Sequence, residues 1–307
     1  SYNTVDRFRA YKNGGAYTTE KSTDNPFGTG SSLKAQVTTA DTSMAAGEYA
    51  FINHEIEAQN LQHLLYGTSN AKNITLSFWV KSNKTGIYTV GVYKHANGAT
   101  AYMYRKEYTI SSADTWEKKE FTISPTAGST TFMTSSGGAI ANNNGNGFGI
   151  SFNLALGSNF HGTNDAWAAD AKYGTSNQVN WMDNTSNNFY ITQIQLEVGQ
   201  NATEFEHEPF DTTLRKCLRY YYDTQSDGGT SDYRYAISDG ANGVYIVAYI
   251  ELPVPMRATP SGTTTVAGAF YYNSGSGDSN VTPSGGQNAS AGRTHELVRI
   301  AWYNHSN

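Results

Sequence analysis

Alternation between apolar and polar residues is the feature that most restricts how this chain can fold. Within 74–81 every second residue is apolar, and the residues between them are mostly polar. Successive side chains of a strand point to opposite faces, so this alternation predicts a strand with one buried face. Related patterns occur at 88–92, 102–110, 117–123 and 148–156. Turns rich in Gly, Asn and Ser separate them, which predicts an all-β sandwich rather than βαβ units.

The segment 190–223 marks a boundary in the chain. Even-numbered residues from Tyr190 to Val198 alternate with Gln193, Gln195 and Glu197, which predicts a half-buried strand. Gly199 then begins a turn. We therefore expect one all-β block to close here.

A single short helix is predicted after this strand. Asp211 is its expected N-cap, because a carboxylate there accepts the free N–H groups of the first turn. Residues at helical spacing follow: Leu214, Cys217, Leu218 and Tyr221. The only cysteine of the chain, Cys217, is expected to act as a small buried hydrophobe on this face, and no intrachain disulfide can form.

We therefore divide the chain into a sandwich over 1–210, a linker helix over 211–223 and a small distal β-domain over 224–307. Strand patterns in the distal part occur at 233–238, 244–251, 263–272 and 296–303. Segment 252–260 contains prolines, which cannot donate to a sheet ladder, so it is predicted as an edge or a connection. This distal block is small enough that we expect a partner subunit to complete its core.

Composition argues against two classes of function. The 307 residues carry a net charge of -5, and only 15% are charged, so no basic stripe is available to neutralise nucleic-acid phosphates. No apolar run approaches the ~20 residues that span a bilayer, so no membrane insertion is expected. The chain opens without a basic and apolar leader, so we expect release by another route, of which host lysis is one.

Aromatic residues are the better signal of a binding site. Two long polar loops occupy 126–147 and 157–181, and long loops on a β-scaffold often carry binding function. Sugar rings stack their C–H faces on aromatic rings, while acids and amides bond the hydroxyls. The candidate ligand-binding residues are Asp165, Trp167, Tyr173 and Trp181 of the second loop, together with Trp79. Core packing is the ordinary role of any one such ring, and Trp167 and Tyr173 are the main exceptions because their loop is polar.

Acidic residues offer two further hypotheses. Glu204, Glu206 and Glu208 alternate beside His207, and a glycosidase needs two carboxylates about 5–10 Å apart. A charged strand edge that discourages aggregation is the favoured interpretation of this cluster, and we predict no catalytic residues. The histidines have no metal-ligand spacing, and no nucleophile elbow or phosphate loop is present. We predict no cofactor, apart from a structural calcium to which Asp6, Asp24 and Glu55 or Glu57 would contribute.

Several segments together resemble tail fibres and other receptor-binding virion proteins of tailed bacteriophages. The segment ITQIQLEVGQNATEFEHEPF…LRKCLRYYY resembles the end of their jelly-roll module, which is similar to carbohydrate-binding modules. Further similar segments are YNTVDRFRAY, ITLSFWVKSNKTGIY, YTISSADTWEKKEFTI and the distal VPMRATP. This chain departs from the pattern at Glu208, where the family usually has an arginine.

The resemblance implies a jelly-roll sandwich in a virion tail appendage that is extracellular after release. It implies adhesion to a host-surface glycan or another receptor, without catalysis, and partners that include other tail proteins and copies of the chain in a homotrimer. Repeated weak sites would gain strength through avidity. Two alternatives stay open, namely a purely architectural fibre or decoration protein and a polysaccharide-degrading tail enzyme that uses the glutamate cluster.

Overall fold

The computed structural model describes residues 7–221, 236–237, 245–257, 270–273, 278–281, 286–287 and 297–303. The chain forms two compact units, Ser1–His207 and Glu208–Asn307. The first unit contains β1 (Phe8–Asn13), β2 (Ala16–Ser22), β3 (Ser32–Thr39), β4 (Tyr49–Glu57), β5 (Ile74–Ser82), β6 (Gly86–Lys94), β7 (Tyr102–Ile110), β8 (Glu117–Ile123), β9 (Asn146–Leu156), β10 (Ala166–Ala168) and β11 (Asn188–Val198).

These strands form two antiparallel sheets. Sheet A has the order β1-β4-β9-β6-β7-β10, and sheet B has the order β2-β3-β11-β5-β8. Short 3₁₀ helices lie in the connections at Ala58–Leu64, Ser136–Gly138, Ser158–Phe160 and Trp181–Asp183. The predicted all-β jelly-roll sandwich is confirmed.

The core lies between the two sheets and consists of the inward-facing set of each alternating strand. Ile74, Leu76, Phe78 and Val80 of β5 are all fully buried, as the alternation predicted. The rings of Phe78 and Phe152 meet edge to face between the two sheets, with centroids 5.2 Å apart. Burial of each large apolar side chain contributes roughly 1.5–3 kcal/mol.

β11 corrects the predicted alternation. Phe189 and Ile191 are its buried residues before an irregularity between Thr192 and Gln195, whereas Ile194 packs against the core after it. Gln193 has a φ of 47° there, which inserts a residue and reverses which side chains face inward. The prediction that the even-numbered residues face the core along the whole strand was therefore wrong for its first half.

The helix predicted after β11 is present as α1 (Phe210–Leu218). Its N-cap is Pro209 rather than Asp211, and no side-chain hydrogen bond caps it. The Pro209 carbonyl accepts the first helical hydrogen bond from the Thr213 amide over 3.2 Å, so the helix begins one residue before Asp211, which lies in the first turn. Among the described residues, Leu214 is 44% exposed and Cys217 is half-buried. The expectation that Cys217 is buried was therefore wrong.

The second unit contains further strands: β12 (Ala236–Ile237), β13 (Tyr245–Glu251), β14 (Phe270–Asn273), β15 (Asp278–Val281), β16 (Gly286–Gln287) and β17 (Leu297–Tyr303). One sheet has the order β12-β13-β17-β16, and β14 pairs with β15. Residues 252–257 form no strand, and their backbone meets the end of α1 where the Arg257 amide donates to the Arg219 carbonyl over 2.9 Å. The predicted hairpin loop 239–243 lies outside the described residues. In the part of the chain that the structure describes, no helix has the length and apolarity to cross a bilayer.

Candidate functional site

Two of the predicted ligand-binding residues lie in the core. Trp167 of β10 is 1% exposed and Trp181 is 0% exposed. The Trp167 indole N–H donates to the Ser124 carbonyl over 2.9 Å, and that of Trp181 donates to the Asn188 carbonyl over 3.1 Å. A sugar could stack on neither ring without opening the core, which corrects the expectation that these two residues face a ligand.

Asp165 stabilises the loop that carries it. Its carboxylate accepts hydrogen bonds from the Tyr104 hydroxyl over 2.5 Å and from Lys106 Nζ over 2.6 Å. Burial alone would raise the pKa of Asp165, but these hydrogen bonds hold it below the usual range of a carboxyl group. Two of the carboxylate's acceptor positions are therefore occupied within the protein.

Trp79 lies on the outer face of sheet B. Its ring meets that of Phe27 edge to face at 5.5 Å, and Phe27 is 49% exposed. On the same face, Trp116 and Tyr190 flank the side chain of Lys81, at 5.4 and 4.5 Å from its Nζ. Trp79 is thus on a different surface from Trp167 and Trp181, whose rings are buried between the sheets.

Tyr173 belongs to a cluster of rings on the outer face of sheet A. We define the aromatic platform as Tyr11, Tyr49, Phe51, Tyr93, Phe160 and Tyr173. Phe51 is its centre, with the Tyr11 ring stacked at 4.9 Å on one side and the Tyr173 ring stacked at 5.2 Å on the other. All members except Phe51 are half-buried, so their outer edges face solvent.

Strand register explains how the platform forms. Tyr11 of β1 is directly opposite Phe51 of β4, so the two rings project side by side from the same face. Inward-facing Ala50 and Ile52, which flank Phe51 in the sequence, are fully buried in the core. Tyr173 comes from the 157–181 loop, which places its ring on the opposite side of Phe51.

Polar groups adjoin the platform on the same face. Asn53 Nδ2 donates to Glu55 Oε1 over 2.8 Å, and Glu55 Oε2 lies 2.8 Å from His95 Nε2. His95 contacts the ring of Tyr93 edge to face at 4.6 Å. Apolar ring edges thus lie beside an amide, a carboxylate and an imidazole, which together can donate and accept hydrogen bonds.

The hydroxyl of Tyr173 stays protonated at physiological pH. Burial raises the pKa of Tyr173 to about 12, and the nearby Tyr93 and Glu55 contribute in the same direction. A neutral phenol can both donate and accept a hydrogen bond. Tyr173 therefore presents a neutral hydrogen-bonding group to the platform.

Sequence reasoning identified Tyr173 but missed the other platform residues. The available signal was in β4, where Tyr49 and Phe51 alternate with Ala50 and Ile52, so apolar residues occupy both faces. An apolar outer face on a sandwich strand indicates a surface that another group covers. The contributions of β1, β6 and the loop depended on tertiary pairing.

The glutamate cluster does not form the predicted strand. Residues 202–209 have no regular secondary structure, and Glu204, Glu206 and Glu208 are all exposed. Glu208 pairs with Lys216 and accepts from Thr213 Oγ1 over 3.1 Å. Alternation along one strand face therefore cannot bring these carboxylates together.

The proposed calcium ligands are distributed over two opposite faces. Asp24 lies beside sheet B, where it pairs with Lys81, whereas Glu55 lies on sheet A with His95. Asp6 is outside the described residues. Among the residues that are described, no group of three or more His, Cys, Asp or Glu side chains is arranged to hold a metal ion.

Comparisons with known proteins give only distant structural likenesses. No family model and no curated protein matches the chain. The family 11 carbohydrate-binding module of the cellulosomal cellulase Lic26A-Cel5E of Clostridium thermocellum aligns over 64% of this chain and 95% of its own, with 13% identity and a TM-score of 0.35.

Two further structures align over the same share of the chain. The enzymatically active domain of tailspike protein 4 of Bacteriophage CBA120 has 12% identity and a TM-score of 0.34, and 20% of its length is covered. The N-terminal tandem CBM22-1-CBM22-2 domain of Paenibacillus barcinonensis Xyn10C has 17% identity and a TM-score of 0.34, and 46% of its length is covered. Likeness at this level does not indicate what this chain binds.

Proposed function

We propose that the first unit binds carbohydrate through the aromatic platform, without catalysis. The observation that carries the proposal is the row of half-buried rings on the outer face of sheet A, beside Asn53, Glu55 and His95. Sugars combine apolar C–H faces with hydroxyl groups, and this surface offers a complement to both. Apolar lining with a few placed polar groups is the usual composition of a small-ligand site.

We further propose that this binding attaches a phage tail fibre or a related virion appendage to its host. The support is the resemblance of the segments around 74–88, 108–123 and 190–221 to tail-fibre sequences. A homotrimer with several copies of the platform would raise the avidity of a weak single site. Location in the virion and contacts with other tail proteins are part of the same proposal.

The binding proposal is tested by exchanging rings on the two faces of the sandwich. We expect Tyr93→Ala and Tyr173→Ala each to weaken binding of an array-selected soluble oligosaccharide about tenfold, which corresponds to a loss of ~1.4 kcal/mol. Trp79→Ala is the matched control, since it removes a half-buried ring from the outer face of sheet B. Isothermal titration calorimetry gives the affinities, and thermal melts verify that each variant is folded.

The outcomes separate the possible sites. Loss of binding in Trp79→Ala with wild-type affinity in both tyrosine variants would move the site to sheet B and overturn the platform. No binding to any glycan by the multivalent protein would favour an architectural role. Glycan cleavage that disappears when Glu204, Glu206 and Glu208 are replaced by Gln would overturn the proposal of binding without catalysis.

The virion proposal has its own test. A cryo-EM map of the particle should show the chain in an appendage as a trimer. A monomer unconnected to any appendage would contradict it, while leaving the carbohydrate measurement to stand separately.

A further inference from the structure

A fully buried arginine lies on the outer face of sheet A, next to the platform. Arg105 of β7 is 0% exposed, although the outer face of a sandwich strand ordinarily meets solvent. The loop 157–181 covers it. A buried charge is tolerated only when it is paired and hydrogen-bonded, so the cover must supply partners.

Asp170 of that loop is the partner. Arg105 Nη1 donates to Asp170 Oδ2 over 3.2 Å, and Nη2 donates to Oδ1 over 2.9 Å. The paired geometry uses the planar fork of the guanidinium, which a lysine cannot reproduce. Asp170 Oδ1 also accepts from the Lys172 amide over 3.2 Å, so the carboxylate orients its own segment of the loop.

Two segments of the loop are hydrogen-bonded to each other beside this ion pair, and we call 160–162 the first limb and 170–174 the second limb. The Gly162 amide donates to the Gly174 carbonyl over 2.7 Å, and the Gly174 amide donates to the Phe160 carbonyl over 3.1 Å. A Cβ added to Gly162 would lie 1.5 Å from Arg105 Nη1. The guanidinium therefore contacts the first limb through Gly162 and bonds the second limb through Asp170.

Both limbs carry a ring of the platform. Phe160 lies two residues before Gly162, and Tyr173 lies three residues after Asp170. The rings of Phe160 and Tyr173 are 6.2 Å apart, and Tyr173 stacks on Phe51. The position of these two rings on the face thus depends on how the limbs are fixed.

We propose that Arg105 and Asp170 are positioning residues, which hold the two limbs so that Phe160 and Tyr173 complete the platform. The consequence for ligand affinity rests on the proposed carbohydrate binding, whereas the consequence for the loop does not. Asp170 is 30% exposed at its side chain, so it can be changed with less risk to folding than Arg105.

Hydrogen exchange and ligand binding of the full chain test this role together. In Asp170→Asn we expect the amides of Gly162 and Gly174 to exchange at least about tenfold faster by NMR, a factor that corresponds to ~1.4 kcal/mol. The amides of Phe78 and Phe152 in the core should be unchanged. Affinity for the selected oligosaccharide should fall about as much as in Tyr173→Ala. Gly162→Ala should produce the same local pattern without any change of charge.

Glu20→Gln is the matched control, because it removes one carboxylate from the more exposed pair with Lys34 on sheet B. It should change neither loop exchange nor affinity. Equal acceleration of exchange in the loop and in the core would identify a general stabiliser and overturn the positioning role. Unchanged exchange of the amides at positions 162 and 174 in both Asp170→Asn and Gly162→Ala would also overturn it.

Two combined outcomes separate the proposals. A loosened loop with wild-type affinity, while Tyr173→Ala weakens binding, would overturn the link from the ion pair to the site. A loosened loop in a protein that binds no glycan in any form would reject the proposed function and leave the positioning of the loop supported.

Discussion

At the scale of the residue, Lys81 shows how a charge is accommodated in a buried position. Only 8% of this residue is exposed, and its ammonium group lies 4.5 Å from the ring of Tyr190. Asp24 pairs with the ammonium and also accepts from the Trp116 indole N–H over 3.0 Å. The cation is therefore stabilised by one carboxylate and by the electron-rich faces of neighbouring rings.

Asp24 should make the stability of the first unit depend on pH. The hydrogen bond from Lys81 holds the pKa of Asp24 below its ordinary value of 3.8, and Trp116 contributes in the same direction against the effect of burial. A carboxyl group whose pKa is lowered by folding stabilises the fold above the unfolded pKa and loses this effect as pH falls through the folded pKa. The Tm difference between wild type and Asp24→Asn should be full near pH 6 and should shrink below about pH 4.

Asp114→Asn is the control for this titration, since it makes the same exchange at an exposed turn residue. Its Tm should follow the wild-type pH dependence throughout. A difference between wild type and Asp24→Asn that stays constant down to pH 2 would show that the Asp24 carboxylate does not supply the effect.

At the scale of the element, β11 contains the irregularity that changes which side chains face the core. Its first half buries Phe189 and Ile191, and its second half directs Ile194 and Leu196 toward the core. The positive φ of Gln193 produces the change. The strand therefore contributes apolar residues to the core along its whole length, although the inward-facing positions change from odd to even numbers at the irregularity.

Gln193→Gly should stabilise the protein, because a non-glycine residue in the left-handed region is strained. We expect a net gain of about 0.5–1 kcal/mol in the free energy of unfolding measured with urea, because relief of ~1–2 kcal/mol of strain exceeds the entropy cost of a glycine. Gln193→Val should lose stability, since a β-branched side chain is least compatible with a positive φ.

Thr18→Gly tests whether the gain is specific to that backbone conformation. Thr18 is an exposed residue of β2, where the ordinary extended conformation gives glycine no advantage. It should lose about 0.5–1 kcal/mol. A gain at both positions would contradict the explanation from backbone strain.

At the scale of the whole molecule, the chain consists of two compact units. The first unit contains a continuous apolar cluster that includes residues from both sheets. In the second unit, Arg219 Nη1 donates to the Pro255 carbonyl over 3.0 Å, so two segments that carry the tail-fibre resemblance meet there. Each unit therefore has local contacts of its own.

The fragment 1–207 should fold without the rest of the chain, because the core cluster of the described residues lies entirely within it. We expect one cooperative transition in urea, and affinity for the selected oligosaccharide equal to that of the full chain at a single site. Phe152→Ala in this fragment should reduce the free energy of unfolding by about 3–5 kcal/mol. A fragment without a cooperative transition would show that the second unit is needed for folding.

The class of fold and most strand positions could be predicted from the sequence alone. The bounds of β7 and β8 agree with the sequence prediction, because alternation is a local property of each strand. The remaining features depended on packing between segments that are distant in the chain. The predicted loop tryptophans entered the core, where their large apolar rings gain most from burial and their N–H groups find carbonyl partners. The platform and the cover over Arg105 depend on the pairing of β1, β4, β6 and β7 and on the packing of the 157–181 loop. Strand pairing brings together residues that are far apart in the sequence, so no local pattern predicts them.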